Sequence, residues 1–409
     1  MVDTRADSGS ADEGWTNEEY QKALERELCL DDERWHELER DPEVRVGLDE
    51  QGAGFFYRPH EIIVHQRDLD PAARQLEGLA RLQIARRIDS KVHLRLTSDL
   101  DARTAVRSLR AETGGGPVEA DLNHVFTLGP RWQFHPATAA WPEEGELAAG
   151  PTTKVEREVT VGIVDTGMGP DGNSQPLLSG HFVDDSPDPL VVGGTITSYV
   201  GGHGTFVAGL VLQRAPSVRF DPESATFRNG FTDDAAAAAD AARLGALGCQ
   251  VLNLSLGGHT DDGQPPPAIT AVVRALAKKG VAVVAAAGNS DTKTPFWPAA
   301  DESVIGVAAV DRNGAKATFS NFGDWVDACS LGVGVRSTYV KGTLTLPGGE
   351  VRTFARTARW SGTSFAAPRV AGAIAALIAS GKASTGREAW DQLRAGAPAG
   401  PAGCGTFIA

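Results

Sequence analysis

Three apolar runs of strand length constrain this chain more than any other feature: VTVGIVD (159–165), QVLNLSLGG (250–258) and VAVVAAAGN (281–289). Each is dominated by apolar residues until it stops at a Gly- or Asp-containing turn, so neither face of such a strand suits water. Alanine-rich segments that read as helices, Asp234–Leu247 and Ile269–Lys279, lie between them. Strands without a polar face need cover on both sides. Strands alternating with helices meet that need as a parallel sheet with helices on each face. The predicted class is α/β, a three-layer fold with a mostly parallel central sheet. Chemistry in such sheets collects at the carboxyl ends of the strands. The polar residues that end these runs are Asp165, Ser255 and Asn289.

The remainder divides by composition. Residues 1–53 form an acidic arm, with 17 Asp/Glu against 6 Lys/Arg in the first fifty positions and a helix predicted from Asn17 to Arg40. Residues 54–127 alternate short elements: strand Glu61–Gln66, helix Pro71–Leu82, strand Lys91–Leu96, helix Asp99–Ala111 and strand Pro117–Phe126. That order predicts a small α+β domain with helices on one face of an antiparallel sheet. Residues 128–158, rich in Pro, Ala, Glu and Gly, read as a linker, and 159–409 as the large domain.

Charge and cysteine use narrow the function. A net charge of −14 argues against a nucleic-acid partner. The apolar runs are too short to span a bilayer, so no membrane partner is expected. Cys29, Cys249, Cys329 and Cys404 show no metal-binding spacing and no disulfide framework. With no secretory-signal pattern at the start, a cytoplasmic location is expected. No metal or organic cofactor is expected.

The chemistry-bearing residues form one constellation. Asp165 closes a buried strand in VDTGM, His203 sits among glycines in GGHGTFVAG, and Ser364 opens a helix in SGTSFAAPRV. Singly, each has a commonplace role, as turn residue, structural histidine or helix cap. Together they can make a proton-relay nucleophile. The serine hydroxyl is weak alone, the imidazole takes its proton, and the aspartate fixes the ring tautomer and stabilises the imidazolium. Pro368 is expected in the first helical turn, and that helix start offers free amides to an oxyanion. Asn289 supplies a side-chain donor for the same charge. Leu254, Ser255, Leu256 and Gly257 leave strand-edge groups to pair with an extended peptide. Ala286, Ala287 and Gly288 lead to Asn289, and Phe296 and Trp297 supply an aromatic wall.

In order and rough spacing, VDTG, GHGT, SLG, AAGN and GTSFAAP resemble the subtilisin-like serine peptidases, the subtilase (S8) family, over about residues 159–380. The resemblance implies a serine endopeptidase acting on polypeptide substrates through an acyl-enzyme on Ser364. His203 would be base and then acid, and Asn289 with the Ser364 amide would be oxyanion donors. It also implies that the chain's own N-terminal domain is an inhibitory propeptide, with self-processing between about Phe126 and Glu158. Three departures stand out. The helix after His203 runs on without the calcium loop common in secreted relatives. An insertion between Ser337 and Trp360 reads as a hairpin about Pro347–Gly349 that rims the cleft or decorates the surface, decoration being favoured. Phe296 stands where the family often keeps a small residue, which implies a shallow pocket for small side chains. Two other readings stay open: a processing peptidase dedicated to one partner protein, and a peptide-binding pseudopeptidase. A lipase or esterase is disfavoured, since GxSxG does not surround Ser364.

Overall fold

The structure is a computed structural model, and it describes residues 14–25, 41–49, 54–111, 117–127, 139–145, 147, 154–183, 186–225, 231–346 and 349–409. Its centre is a parallel sheet in the order Arg219–Ser224, Thr160–Asp165, Val251–Leu254, Ala282–Ala286, Ile305–Val310, Ala328–Leu331 and Thr406–Phe407. The three apolar runs are neighbours in the middle of this sheet, where burial on both faces matches their composition. One face packs against helices His203–Arg214 and Thr363–Ala379, and the other against Asp234–Ala246 and Pro267–Lys278. The α/β expectation is met, with helix ends within two residues of those predicted.

The hairpin of Val335–Thr345 and Val351–Trp360 corrects the expectation of surface decoration. Its base is core: Tyr339, Phe354 and Trp360 are all buried. The Tyr339 hydroxyl donates to Gly201 O at 2.6 Å, and Ser337 and Thr338 donate to Phe206 O and Thr205 O. The hairpin therefore braces the helix that begins at His203. Trp141–Pro142, inside the predicted linker, adds an antiparallel strand to this hairpin opposite Arg359 and Ala358.

The N-terminal domain is an antiparallel sheet in the order Ala120–Thr127, Gly54–His65, Lys91–Leu96 and Leu82–Ile88. The helix is predicted to end at Leu82, and no element is predicted between it and the strand at Lys91. Instead the helix stops at Gln75, and a hairpin with Lys91–Leu96 follows. Helices Leu69–Gln75 and Ala102–Arg110 cover one face. The other face lies on the large domain, where Ile63, Ile88 and Phe126 join one core with Ala235, Ala238 and Ala241. Phe231–Asp233 of the large domain extends the N-terminal sheet itself. At this junction Asn123 Oδ1 accepts from Ala235 N, an otherwise unsatisfied amide of the helix start. Glu61 in turn accepts from Asn123 Nδ2 at 2.7 Å.

The helix expected over Asn17–Arg40 spans Asn17–Leu24, and residues 26–40 lie outside the described residues, as does Cys29. Cys249, Cys329 and Cys404 are free and buried. Among the described residues, no helix is long and apolar enough to cross a membrane.

Candidate active site

Asp165 and His203 meet beside the carboxyl ends of the central strands, and Ser364 sits at the start of its helix, where the next residue, Phe365, stands against the imidazole; each is at most 4% exposed. Asp165 is the last residue of its strand. His203 opens its helix because Gly202 before it holds φ +82°, a conformation that favours glycine. Gly204 is also required, since a Cβ there would collide with the backbone of Gly167. His203 Nδ1 lies 2.7 Å from Asp165 Oδ1 and 2.9 Å from Oδ2, which places the ring proton on Nδ1. The other nitrogen, Nε2, is buried and has no hydrogen-bond partner. Trp360 and Phe365 stand against the imidazole, with ring centroids at 5.4 and 5.0 Å, and fix its plane.

A second carboxylate ties the two elements together. Asp188 Oδ2 accepts from Thr166 Oγ1 and from Gly202 N, at 2.8 and 2.7 Å, while Oδ1 accepts from Leu190 N. Thr166 follows Asp165 and Gly202 precedes His203, so Asp188 fixes the spacing of the pair. Burial pushes its carboxyl up to about 6, against the pull of those three donors. No sequence signal marked Asp188, which lies outside every quoted motif.

Ser364 is the second residue of its helix, which begins at Thr363. Pro368 is thus in the second turn, a correction to the first-turn expectation, and the difference has a consequence. A residue at 368 would normally donate to the carbonyl of Ser364, and proline cannot. The freed carbonyl instead accepts from Ser255 Oγ at 2.9 Å. The Ser364 hydroxyl donates to Ser255 O at a long 3.3 Å rather than to His203. Bonds between such groups are often loose or unformed until substrate is present.

Asn289 is locked by Thr363, whose amide and hydroxyl both donate to Asn289 Oδ1 at 2.9 Å. Both lone-pair sides of Oδ1 are engaged, so the amide cannot flip without opposing donors to donors. Its Nδ2 faces the bend before Ser364, with the Cα side of Gly362 beside it. Thr363 also accepts from Gly288 N at 3.0 Å. Its role was legible only as part of GTS.

The residues expected to pair with a peptide divide. Leu254 and Ala286 turn their side chains into the two cores and contribute only chain position. Leu256 and Ala287 are buried, and Ala287 O accepts from Asn321 Nδ2. Gly257 is engaged: its N–H donates to Thr127 O at 3.2 Å and its carbonyl accepts from Thr127 N at 3.0 Å. The end of the last strand of the N-terminal domain, Thr127, therefore lies between Phe231 and Gly257, bridged to each in antiparallel fashion. Phe296 fills the space between Gly257 and Gly288. A Cβ on Gly257 would overlap its ring, and one on Gly288 would lie 3.0 Å from its Cγ. Trp297 pairs with Gly258 through both backbone bonds, at 2.9 Å each.

Comparison with known proteins follows the same lines. A sequence model of the subtilase family matches residues 156–396. A thermophilic serine proteinase of Bacillus sp. (strain AK1) is 37% identical over 246 residues, 56% of this chain and 54% of that protein. This chain thus spans about half the length of that relative. Subtilisin DY of Bacillus licheniformis is 33% identical over 236 residues, 54% of this chain and 76% of that protein. Thermitase of Thermoactinomyces vulgaris is 29% identical over 269 residues, 62% of this chain and 84% of thermitase. Among solved structures, fervidolysin from Fervidobacterium pennivorans shares the fold. Its TM-score is 0.61 at 20% identity, covering 86% of this chain and 60% of that one.

Proposed function

The chain belongs to the subtilase family, and on that premise we propose that it is a serine endopeptidase held inactive by its own N-terminal domain. The observation that carries this reading is the buried Asp165–His203 pair, with Nδ1 engaged and Nε2 unpartnered beside the Ser364 helix. Ser364 Oγ bonds to the carbonyl carbon of the scissile peptide as its proton passes to Nε2. The carbonyl pair moves to oxygen, which accepts from Asn289 Nδ2 and the Ser364 amide. Collapse restores the carbonyl and breaks the C–N bond, and the leaving amine takes the proton from Nε2. Water then repeats the sequence on the acyl-enzyme, with His203 as base and then acid.

The register of Thr127 on Gly257 supports the direction of substrate binding. A substrate strand in that register brings the amide two residues further on to the carbonyl of Ser255, the acceptor that now holds the Ser364 hydroxyl. Substrate would thereby release the hydroxyl toward His203. The same seat, occupied by Thr127, supports inhibition by residues 54–127, because substrate and N-terminal domain compete for one strand edge. Phe296 between Gly257 and Gly288 supports a preference for Ala or Ser before the scissile bond. The three buried, unpaired cysteines support a cytoplasmic location, which cell fractionation tests directly.

Intact mass after incubation with a fluorophosphonate tests the central reading on wild type and Ser364→Ala. An adduct on the wild type alone is expected once the chain between Thr127 and Ala139 has been cut and the N-terminal domain removed. No adduct on that opened enzyme would refute the assignment of Ser364.

A further inference from the structure

Within the acidic arm, Arg45–Leu48 pairs with Gly54–Tyr57 of the N-terminal sheet, but Gly14–Glu25 is seated in the peptidase domain. Its helix, Asn17–Leu24, has eight residues, too few to persist alone in water, so its order comes from what it touches. Tyr20 is fully buried against Phe319, with ring centroids 5.1 Å apart, and Leu24 is buried beside it. Asn17 makes three bonds to one loop: its N–H donates to Asp311 Oδ2, its Nδ2 to Lys316 O, and its Oδ1 accepts from Thr318 N. Trp15 N donates to Val333 O at 2.7 Å, and Trp15 O accepts from Arg312 N at 3.1 Å. The seat is shaped for this occupant. Gly334, at φ +57°, leaves room that any side chain would take from the Trp15 ring. Of the described acidic residues, Glu19 reaches the peptidase domain through a half-exposed pair with Arg312 at 3.3 Å, a contact that adds little.

The seat is also part of the catalytic framework. Gly334 N donates to Ser361 Oγ, and Gly362 N donates to Gly332 O, immediately before the Ser364 helix. In chain order the anchor, the N-terminal domain and the cleft strand ending at Thr127 all precede Ala139–Gly145, which has its own place on the hairpin sheet. A cut between Thr127 and Ala139 therefore yields an N-terminal fragment with two separate seats on the remainder.

We propose that residues Gly14–Glu25 are an anchor that keeps the N-terminal domain on the peptidase domain after the intervening chain is cut. While one seat holds, rebinding at the other is intramolecular, which multiplies retention by about 10²–10⁴ without any new contact. Cutting the chain does not then free the cleft; the anchor must also let go or be severed. The proposal rests on the reading of residues 54–127 as inhibitor for its meaning, but its test does not.

A recognition sequence for a specific processing protease is placed between Thr127 and Ala139 in a Ser364→Ala background. The cut chain is followed under dilution by size-exclusion chromatography and native mass spectrometry. The fragment is expected to stay bound, and Tyr20→Ala to speed its loss on the order of 10²-fold. A second recognition sequence between Glu25 and Asp41 leaves the seat unmutated. Cutting at both places should release the N-terminal domain at the faster rate while the anchor stays on the peptidase domain. Loss at equal rates from singly and doubly cut chains overturns the proposal, and so does immediate loss from the singly cut chain. Inhibition is read separately, by hydrolysis from the doubly cut chain carrying Ser364. An enzyme that has shed its N-terminal domain and still does not label with fluorophosphonate refutes the peptidase reading and leaves the anchor standing.

Discussion

Thr363→Val separates the orientation of Asn289 from its presence. Valine keeps the shape of threonine and the backbone amide that donates to Asn289 Oδ1, and deletes only the hydroxyl. Two contacts go with it: the 2.9 Å donation to Oδ1 and the 3.0 Å acceptance from Gly288 N. A neutral hydrogen bond of this kind contributes about 1 kcal/mol net. The remaining Thr363 amide still opposes a flipped Asn289, so orientation is weakened rather than lost. Removing an oxyanion donor outright costs about 10²–10³ in kcat, a figure obtained on a subtilisin and so on a member of this family. Thr363→Val should therefore lower kcat about 5–10-fold, converting about 1–1.4 kcal/mol, while Asn289→Ala falls by the full factor. KM should stay unchanged in both, since the bond is made only as charge develops. The orphaned Gly288 amide should also cost about 1–3 kcal/mol of stability. The assay is kcat and KM on a short peptide substrate with an alanine before the scissile bond, using active-site-titrated, opened enzyme and denaturant melts in parallel. Unchanged kcat for Thr363→Val beside a hundredfold loss for Asn289→Ala would refute the claim that the hydroxyl aims the amide.

Three further outcomes follow from the same contacts. Asp188→Asn puts an NH2 group or a lost acceptor against Thr166, Gly202 and Leu190, orphaning at least one donor. It should cost about 1–3 kcal/mol of stability and lower kcat with KM held; a variant with normal kcat would mean the Asp165–His203 spacing is set elsewhere. Phe296→Ala should open the slot between Gly257 and Gly288, moving preference from Ala toward Leu or Phe before the cleaved bond, at about 3–5 kcal/mol of stability. Unchanged ranking in a peptide library would place Phe296 outside that pocket. Docking of the N-terminal domain should weaken as pH rises from about 5 to 8. Burial would lower the His124 pKa, but the Asp261 carboxylate 3.3 Å from its Nε2 and the charge of Asp121 outweigh it, so the net direction is up. Burial pushes Asp121 up to about 6, despite His124 and Arg110, with Asp262 and Asp261 adding to the rise. Asp261 and Asp262 reach these groups from the peptidase domain, so the part of each rise that they cause is made on docking; that contribution is full at low pH and lost as pH rises through the docked pKa. Asp261 is shifted down, and its opposite effect falls only in the acid range near and below 3.8. Dissociation of the cut Ser364→Ala chain measured across that range checks the sign; a slope that persists in His124→Gln and Asp121→Asn would assign it elsewhere.

Much of the large domain was legible because its signals are local. An apolar run buried on both faces announces itself by composition, and the polar residue that stops it marks the strand end; Asp165, Ser255 and Asn289 follow from that rule alone. The glycines around His203 were readable, though not the φ of +82° at Gly202 or the Gly167 backbone against Gly204. The short N-terminal elements were harder, and Leu82–Ile88 was missed because its mostly exposed, Arg-rich pattern on an edge strand lacks the apolar alternation that marks a half-buried one. Contacts between distant segments left no periodic trace. Asn17 meets Asp311, Thr127 meets Gly257, Ser337 and Thr338 brace the His203 helix, and Asp188 joins Thr166 to Gly202. By itself the sequence determined the fold class and the chain order of the candidates Asp165, His203, Asn289 and Ser364, since each rests on neighbours a few residues away. The tertiary structure alone decided that Thr127 pairs with Gly257, how closely Phe296 lies between Gly257 and Gly288, and where Gly14–Glu25 is held. Those depend on which surfaces meet across hundreds of residues, and packing of that kind is specified by the shape of both partners together, not by a pattern in either.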